Sequence, residues 1–410
     1  MKEGTMERQE AAEDKGKKSF WVSDMEAVLA IFIVLLVFGS INVFSSSFIL
    51  AETTFGTPYF FLQRQLFNLA AGFFCFFLGC RVNYHRWRAW IVPVVIITIL
   101  SLIAVLLVGA EVNGSKRWLG TAGFQIQPAE IAKLVSLMLI SAYAAYRVRN
   151  DKPIDILFPN PQYLLVLFMG LLIELEPDGG TMFIVISVPF MLLCIAGLQK
   201  TKVLATVAVF AVAGTALSIL QPYRLARLKV LLDPWADSQG IGYQTVQSLS
   251  AIGSGGLTGM GLGMGVSKYS YLPEAHTDFA FAIFSQETGF LGVILVLVLY
   301  SAFTVYGARI ANAASDAYGQ FLATGILLLI SGQAVINLLM VGGLLPVIGV
   351  PLPFISYGGT SLMISMASVG ILLNIGQHGT GASNRSKLRE ALERDVAKKK
   401  AERHLRLVKK

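Results

Sequence analysis

The stretch that decides the fold is GGLLPVIGVPLPFISYGGTS at residues 342–361, which combines an apolar composition with three prolines and five glycines. A proline removes a backbone donor and clashes with the preceding helical turn, so this stretch cannot form a continuous lipid-exposed helix. Irregular backbone at membrane depth is stable only where protein or a water-filled cavity satisfies its polar groups. In a membrane protein, an interruption of this kind points to a ligand site.

The composition of the whole chain indicates a membrane protein. Hydrophobic residues make up 55% of the 410 residues and charged residues 14%, whereas an ordinary soluble domain has about 25% charged residues. Apolar runs of about 20 residues, each long enough to cross a bilayer, recur along the chain. The first run, at 27–44, is too long for a signal peptide and lacks a small-residue cleavage pattern. We therefore expect an all-α polytopic membrane protein.

Ten transmembrane spans are predicted, at about residues 26–46, 58–80, 87–109, 128–147, 160–175, 180–198, 203–220, 279–306, 319–341 and 355–377. A large extracellular loop at 221–277 separates spans 7 and 8. With both termini inside, the predicted inside segments hold 25 Lys and Arg residues and the outside segments six, as the positive-inside rule requires. The predicted divisions are a disordered cytoplasmic tail (1–24), a membrane domain (25–377) and a basic cytoplasmic tail (378–410).

The net charge of +8 comes mainly from the C-terminal tail, in which 11 Lys and Arg residues stand against four Asp and Glu residues. Basic residues beside a membrane attract anionic lipid head groups, or they serve only to fix the topology. We expect membrane lipids and no nucleic acid as partners of this tail. The cysteines at 75, 80 and 194 lie within predicted spans without metal-ligand spacing, which is typical of small packing residues.

The extracellular loop has the pattern of a folded element. It begins with YRLARLKVLLDPW at 223–235, a basic amphipathic stretch suited to the membrane surface. Glycines dominate residues 253–265, where they permit tight turns and close approach of the backbone to a ligand. A packed or re-entrant loop without a ligand is the alternative interpretation of these glycines.

Five segments in register resemble the SEDS family of bacterial cell-wall synthesis, which includes FtsW, RodA and SpoVE. They are NGSKRWLG with QPAEIAKL (113–120 and 127–134), EPDGGT (176–181), the glycine run (253–263), LPEAHTDFAFA (272–282) and GLLPVIGVPLPFISYGGTSL (343–362). Their order, the span count and the loop placement agree over about residues 25–377. Three patterns resemble the FtsW and SpoVE branch more than RodA, namely LDPW (232–235), GYQ with QSL (242–249) and YLPEAHTDF (271–279).

The resemblance implies a peptidoglycan glycosyltransferase that polymerises lipid II into β-1,4-linked glycan at the outer face of the bacterial cytoplasmic membrane. It also implies a class B penicillin-binding protein as partner. Two other functions stay open: a lipid II flippase, which would keep its charges near the membrane midplane, and a non-catalytic scaffold for the penicillin-binding protein. The conspicuous charges gather at the predicted outer face, which favours the enzyme. The sequence does not assign the chain to division, elongation or sporulation.

Asp278 is the candidate general base, because it lies where the extracellular loop re-enters the membrane and matches the family's essential acidic position. A carboxylate can deprotonate the attacking sugar hydroxyl, while cations or a metal can stabilise the charge of the pyrophosphate leaving group. The structural alternative for Asp278 is a helix N-cap. A divalent cation on Asp278 stays open, since no ligand cluster with metal spacing is visible.

The other candidate site residues are predicted to bind substrate. Glu130 and Lys133 lie three residues apart on one helix face, and they form either a structural ion pair or a site in which Lys133 and Arg117 bind the lipid pyrophosphate. Trp118 either covers a lipid or sugar surface or anchors the membrane interface. The full set is Lys133, Glu130, Arg117, Trp118, Glu274, His276, Ser356, Gly358 and Gly359.

Some neighbouring residues are expected to be structural. Asp178 is placed to cap the following span, and Arg64, inside a span, needs an acidic partner, for which Glu174, Glu176 and Asp178 are candidates. Gly180 stands where the family often has a larger apolar residue, which predicts a looser start of that span.

Overall fold

The computed structural model describes residues 23–112, 115–121, 124–156, 160–220, 226–227, 230–269 and 271–379. Helices dominate these ranges. They are α1 (Asp24–Phe55), α2 (Phe60–Arg81), α3 (Tyr84–Ala89), α4 (Ile91–Val108), α5 (Pro128–Arg149), α6 (Pro161–Leu175), α7 (Gly179–Ile195), α8 (Lys200–Leu220), α9 (Tyr243–Ser254), α10 (Ala280–Asn312), α11 (Ala317–Val341) and α12 (Gly359–Gly379). The predicted tails at 1–24 and 378–410 lie almost wholly outside the described residues.

The prediction of a polytopic helical membrane protein is confirmed. Seven of the described helices, α1, α2, α4, α5, α10, α11 and α12, are long and apolar enough to cross a membrane, and α6 and α7 are shorter apolar helices. Each of the ten predicted spans coincides with one helix. The number of helices that cross the membrane and the placement of the large loop stay predictions.

A small antiparallel sheet between α4 and α5 was not predicted. Its strands are β1 (Ala110–Val112), β2 (Ser115–Thr121) and β3 (Phe124–Ile126), in the order β1-β2-β3. Trp118 on β2 lies opposite Ala110, and Leu119 lies opposite Ile126. Because successive side chains of a strand point to opposite faces, β2 presents Arg117 and Trp118 on different sides.

Polar side chains define the helix ends that the sequence pattern left uncertain. The Ser23 side chain accepts a hydrogen bond from the Glu26 amide at the start of α1, and the Asp316 carboxylate accepts one from the Gly319 amide at the start of α11. These caps satisfy amides that have no partner within the helix. Gly56 ends α1 in the left-handed conformation, at φ 71°, which glycine adopts without a steric penalty.

The segment at 342–358 is irregular, as its prolines predict, and its residues 350–356 lie mostly in the protein interior. Leu352 and Phe354 belong to an apolar cluster formed with α1, α10, α11 and α12, whereas Val350 belongs to a second cluster around α5, α6 and α7. The Tyr300 hydroxyl of α10 donates a hydrogen bond to the Pro353 carbonyl. Protein groups therefore satisfy this backbone, which is the condition for irregular structure at membrane depth.

The glycine-rich part of the loop packs into a break in α10. The break lies at Gly289, which has φ 67° and ψ −166°. Four backbone hydrogen bonds join loop and helix there: Met260 and Gly261 donate to Gln286 and Glu287, and Phe290 and Leu291 donate to Gly256 and Leu257. A Cβ on Gly259 would lie 2.1 Å from the Glu287 carbonyl oxygen. Glycine at this position therefore permits contact with the chain's own backbone, which favours the packed-loop interpretation.

A buried ion pair fastens the same loop to α10. The Lys268 ammonium lies 2.6 Å from the Glu287 carboxylate, and both side chains are almost fully buried. The Ser45 hydroxyl of α1 lies 2.7 Å from each oxygen of that carboxylate. Lys268 also lies 4.9 Å from the centroid of the Phe48 ring. Loop, α1 and α10 thus meet at one neutralised charge cluster.

Replacing Lys268 by Met should destabilise the protein by about 3–5 kcal/mol, because Glu287 would keep a buried charge without its partner. The double variant Lys268→Met/Glu287→Leu should regain most of this loss. Thermal unfolding in detergent measures both. The matched control is Lys202→Met, which removes the partly exposed Lys202–Asp155 pair and should cost no more than about 1 kcal/mol. Equal losses for Lys268→Met and Lys202→Met would contradict the prediction.

Candidate functional site

Asp278 lies in the connection that leads into α10, and its side chain does not cap the helix. The N-cap residue of α10 is Phe279, and no side chain caps this end. The Phe279 amide donates instead to the Glu274 carbonyl at 3.1 Å, and the Thr277 hydroxyl donates to the Glu274 carboxylate at 2.6 Å. Glu274 itself has φ 52°. The structure therefore gives Asp278 a fixed backbone and leaves its carboxylate for another role.

The Asp278 carboxylate faces the irregular segment. A Cβ placed on Gly349 would lie 3.5 Å from Asp278 Oδ2, and Gly349 has φ 71°. Two residues earlier, the Val347 carbonyl accepts a hydrogen bond from the guanidinium of Arg227. The segments 272–282 and 343–362, which are separated by α10 and α11 in the sequence, therefore lie next to each other at Asp278.

A second acidic turn, between α6 and α7, lies beside this site. The Arg117 guanidinium of β2 donates to the Glu176 carbonyl at 3.2 Å and to the Pro177 carbonyl. Arg117 therefore supplies a cation at this turn. The Arg64 guanidinium lies 4.7 Å from the centroid of the Phe60 ring, and pairing of Arg64 with an acid stays a prediction.

Asp178 caps α7, as predicted. Its Oδ1 accepts a hydrogen bond from the Thr181 amide at 3.1 Å, and its Oδ2 accepts one from the Gln127 side chain at 2.9 Å. The backbone amide of Gln127 donates to the hydroxyl of Thr360, at the start of α12, at 3.0 Å. The acidic turn is therefore tied to both α5 and α12.

The electrostatic environment raises the pKa of two carboxyl groups in this region, those of Asp278 and Glu176. Burial, with the nearby charges of Glu274 and Asp178, raises the pKa of Asp278 to about 7, although Arg117 and Arg227 oppose this shift. Burial and the Asp178 charge raise the pKa of Glu176 to about 8. A carboxyl group with a pKa near the ambient pH is suited to accept a proton during catalysis.

Glu130 and Lys133 form an ion pair inside the protein. Lys133 Nζ lies 2.6 Å from Glu130 Oε2, and both side chains are almost fully buried on α5. The Lys133 ammonium also donates to Gln333 Oε1 of α11 at 3.1 Å. The structural ion pair is therefore present. A role of Lys133 or Glu130 in substrate binding stays a prediction.

His276 and Trp118 are two further predicted substrate-binding residues. The half-buried His276 ring lies 4.6 Å from the Phe61 ring and 5.7 Å from the Tyr357 ring, measured between centroids. Trp118 is half-buried on β2, beside Arg117. Their placement is compatible with binding but does not require it.

The last three candidates hold the turn that leads into α12. The buried Ser356 hydroxyl accepts a hydrogen bond from the Leu352 amide at 3.0 Å. The Gly358 carbonyl accepts one from the Leu362 amide, and a Cβ on Gly359 would lie 3.2 Å from the Asn68 side chain. Ser356 therefore has a structural partner, and its binding role stays a prediction.

Sequence reasoning missed the position of Arg227 beside Asp278. The stretch that contains Arg227, 223–235, is basic and amphipathic, which predicts a helix at the membrane surface. Residues 223–225 and 228–229 of this stretch lie outside the described ones. Only contacts across the fold distinguish a surface cation from a site cation. Among the described residues, no three side chains of His, Cys, Asp or Glu are arranged as metal ligands, and the question of a divalent cation stays open.

Gly180 is tightly packed, which corrects the expectation of a looser start of α7. A Cβ at this position would lie 2.1 Å from the Ile348 carbonyl oxygen and 2.9 Å from the Val350 side chain. The first turn of α7 therefore presses directly against the irregular segment opposite Asp278.

Comparison with known sequences shows a match along most of the chain. Residues 25–381 match the FtsW/RodA/SpoVE family model, described as "Cell cycle protein". A probable peptidoglycan glycosyltransferase FtsW of Trichlorobacter lovleyi is 38% identical over 366 residues, covering 88% of this chain and 95% of that protein. The stage V sporulation protein E of Bacillus subtilis is 38% identical over 355 residues, covering 86% of this chain and 96% of that protein.

Two solved structures share the fold. A chain of a peptidoglycan synthase complex that coordinates polymerization and crosslinking superimposes with a TM-score of 0.72 at 27% identity, covering 87% of this chain and 98% of that chain. The rod shape determining protein RodA of Thermus thermophilus superimposes with a TM-score of 0.63 at 26% identity, covering 85% of this chain and 95% of that chain.

Replacing Gly180 by Ala should destabilise the protein by about 1–3 kcal/mol, because the added methyl group overpacks the contact with Ile348. The matched control is Gly332→Ala, where a Cβ meets nothing within 4 Å and a small gain from helix propensity is expected. Thermal unfolding of the two purified variants is the measurement. A Gly180→Ala variant as stable as the native chain would show that this contact relaxes freely.

Proposed function

The chain belongs to the FtsW/RodA/SpoVE family, as the five sequence segments predicted, and from this premise we propose that it is a peptidoglycan glycosyltransferase. Its substrate is lipid II, which it polymerises into β-1,4-linked glycan strands. Its place is the outer face of the bacterial cytoplasmic membrane, with both termini in the cytoplasm. A class B penicillin-binding protein is the expected partner, because the structural neighbour belongs to a complex that joins polymerization to crosslinking.

The observation that carries the proposal is the environment of Asp278. A partly buried carboxyl group stands in the connection that leads into α10, against the irregular segment at Gly349. Its side chain has no capping task in α10. Its raised pKa, about 7, suits a group that takes up a proton at neutral pH.

The reaction requires a base on one side and positive charge on the other. The ionised Asp278 accepts the proton of the acceptor sugar hydroxyl while the hydroxyl oxygen attacks the anomeric carbon of the donor. The bond from that carbon to the lipid pyrophosphate breaks, and undecaprenyl pyrophosphate leaves. A pyrophosphate needs little protonation to leave, but its developing charge is stabilised by fixed cations.

Two arginines are our candidates for this second task. Arg227 binds the Val347 carbonyl, two residues before Gly349, and Arg117 binds the turn at Glu176. Both guanidinium groups also lower the pKa of Asp278. The Lys133 side chain is almost fully buried, and its ammonium pairs with Glu130 and donates a hydrogen bond to Gln333. We therefore assign the leaving group first to the two arginines and keep Lys133 as a further candidate.

Replacing Asp278 by Asn should reduce polymerisation by about 10²–10⁴-fold, because the amide cannot accept the proton. The measurement is polymer length and amount from fluorescent lipid II with purified protein, with and without a candidate partner. The isosteric control is Asp24→Asn at the far end of α1, where the carboxylate lies 3.4 Å from Arg309. This control should polymerise like the native chain.

The outcomes of this assay separate the three functions. Polymer from the native chain and none from a folded Asp278→Asn variant supports the proposal. Equal polymer from both rejects Asp278 as the base. No polymer from either, even with the partner, rejects the polymerase, and lipid II translocation in vesicles then distinguishes a flippase from a scaffold.

The rate of polymerisation should fall below about pH 7, since Asp278 acts in its ionised form and its pKa is raised to about 7. An aspartate with an ordinary pKa of about 3.9 would keep its full rate at a pH of about 5.5. Arg227→Gln should move the acid limb to higher pH, because the arginine favours the ionised carboxylate. Initial rates at saturating lipid II between about pH 5.5 and 8.5 test both statements, and a flat profile over that range would contradict them.

A further inference from the structure

Two buried side-chain amides lie on one face of α11. Gln333 and Asn337 are four residues apart, so they are neighbours on the helix surface, and both are almost fully buried. A buried amide without hydrogen bonds is unfavourable, so their partners show what holds them there. Neither residue belongs to the five sequence segments nor to the predicted site.

Asn337 joins Asp278 to the irregular segment. Its Nδ2 donates to the Asp278 carbonyl at 2.9 Å and to the Val350 carbonyl at 2.7 Å. Two carbonyl acceptors fix the orientation of the amide, because only its nitrogen can donate. Val350 stands next to Gly349, which packs against the Asp278 carboxylate. One side chain therefore fixes both the backbone of Asp278 and the surface that its carboxylate faces.

Gln333 makes the corresponding link one turn earlier. Its Nε2 donates to the Pro351 carbonyl at 2.9 Å, and its Oε1 accepts from Lys133 Nζ at 3.1 Å. Since Val350 and Pro351 are consecutive, the two amides bind adjacent carbonyls of the irregular segment. The contacts form a continuous path, from Glu130 through Lys133, Gln333, Pro351, Val350 and Asn337 to Asp278.

We infer that Asn337 and Gln333 are positioning residues, which hold Asp278 and Lys133 at a fixed separation across the irregular segment. Asn337 acts on Asp278 through its backbone and through Gly349. Gln333 acts on the ammonium of Lys133. The expected effect of these residues on activity rests on the proposed function. Their effect on the placement of Asp278 does not.

A purely structural role would have the same contacts but different consequences. If the amides only satisfy buried carbonyls, their loss lowers stability and leaves the properties of the folded fraction unchanged. If they position the site, their loss changes the turnover and the surroundings of residue 278 in protein that is still folded. A misplacement of about 1 Å at a catalytic group can cost about 10²-fold in rate.

The kinetic test compares Asn337→Leu with the native chain. We expect kcat for lipid II polymerisation, per folded protein, to fall by about 10-fold or more while KM changes less than about threefold. The matched control is Asn374→Leu, which removes a buried side-chain amide of α12 that is outside the path and also makes two hydrogen bonds to backbone groups, those of Cys80 and Tyr84. This control should retain native kcat. An unchanged kcat of folded Asn337→Leu would overturn the inference.

A second test does not depend on any activity. Asp278→Cys is introduced into a chain whose three natural cysteines, Cys75, Cys80 and Cys194, are replaced by Ala. We expect a charged methanethiosulfonate reagent to label the thiol at position 278 about 10-fold faster or more after Asn337→Leu, because the segment around Gly349 is released and access to the thiol increases. Equal labelling rates with and without the Asn337→Leu substitution would overturn the inference.

The two tests separate this inference from the proposed function. A native chain that makes no polymer defeats the proposed function, and the labelling rates still decide the positioning role. If Asn337→Leu gives no folded protein, Asn337→Ser replaces it, because its shorter hydroxyl cannot bridge both carbonyls. Faster labelling of the folded Asn337→Ser variant then supports the inference, and native labelling overturns it.

Discussion

The rest of the structure depends on one constraint, the need to satisfy the backbone of residues 342–358 inside a membrane protein. Prolines at 346, 351 and 353 leave carbonyls that no helix of the segment itself can pair. Side chains from α10 and α11 meet them, through Tyr300, Gln333 and Asn337. α10 and α11 must therefore pack against the segment, and this requirement brings distant parts of the chain to the same place. Asp278 is one of the groups so placed, because the amide that satisfies Val350 also holds its backbone.

Charge is distributed under the same constraint. The buried pairs Glu130–Lys133 and Lys268–Glu287 are neutral as units, and each is fixed by further hydrogen bonds from a neighbouring helix. Removing one partner of such a pair is costly, whereas the complete pair is tolerated in a medium that disfavours isolated charge. The carboxyl group of Asp278 has a different environment. Burial and neighbouring acids raise its pKa to about 7, and two arginines oppose this rise. The first arrangement suits structure, and the second suits proton transfer.

The glycines of the chain serve two physical roles, and at some positions one glycine serves both. At Gly289 and Gly349 the backbone has positive φ, which few other residues adopt without strain. At Gly180 an added Cβ would lie 2.1 Å from a carbonyl oxygen of another segment, and at Gly259 the same 2.1 Å contact coincides with a positive φ of 82°. In the sequence these roles look alike, and the glycines at 253–265 left both a ligand and a packed backbone open as interpretations. The difference is one of neighbours, which the sequence does not contain.

What the sequence determined by itself was local in origin: the helical membrane class from apolar runs, the irregular segment from its prolines, the Asp178 cap from its position before α7, and the family from five segments in register. The tertiary structure alone decided which groups share a site. Arg117 meets the turn at Glu176, Arg227 meets the segment at Val347, and Asn337 joins Asp278 to Val350. Along the chain, Arg117 is 59 positions from Glu176, Arg227 is 120 positions from Val347, and Asn337 is 59 positions from Asp278. Periodicity and composition report the environment of a residue within a few turns, whereas such pairings arise only when the helices pack.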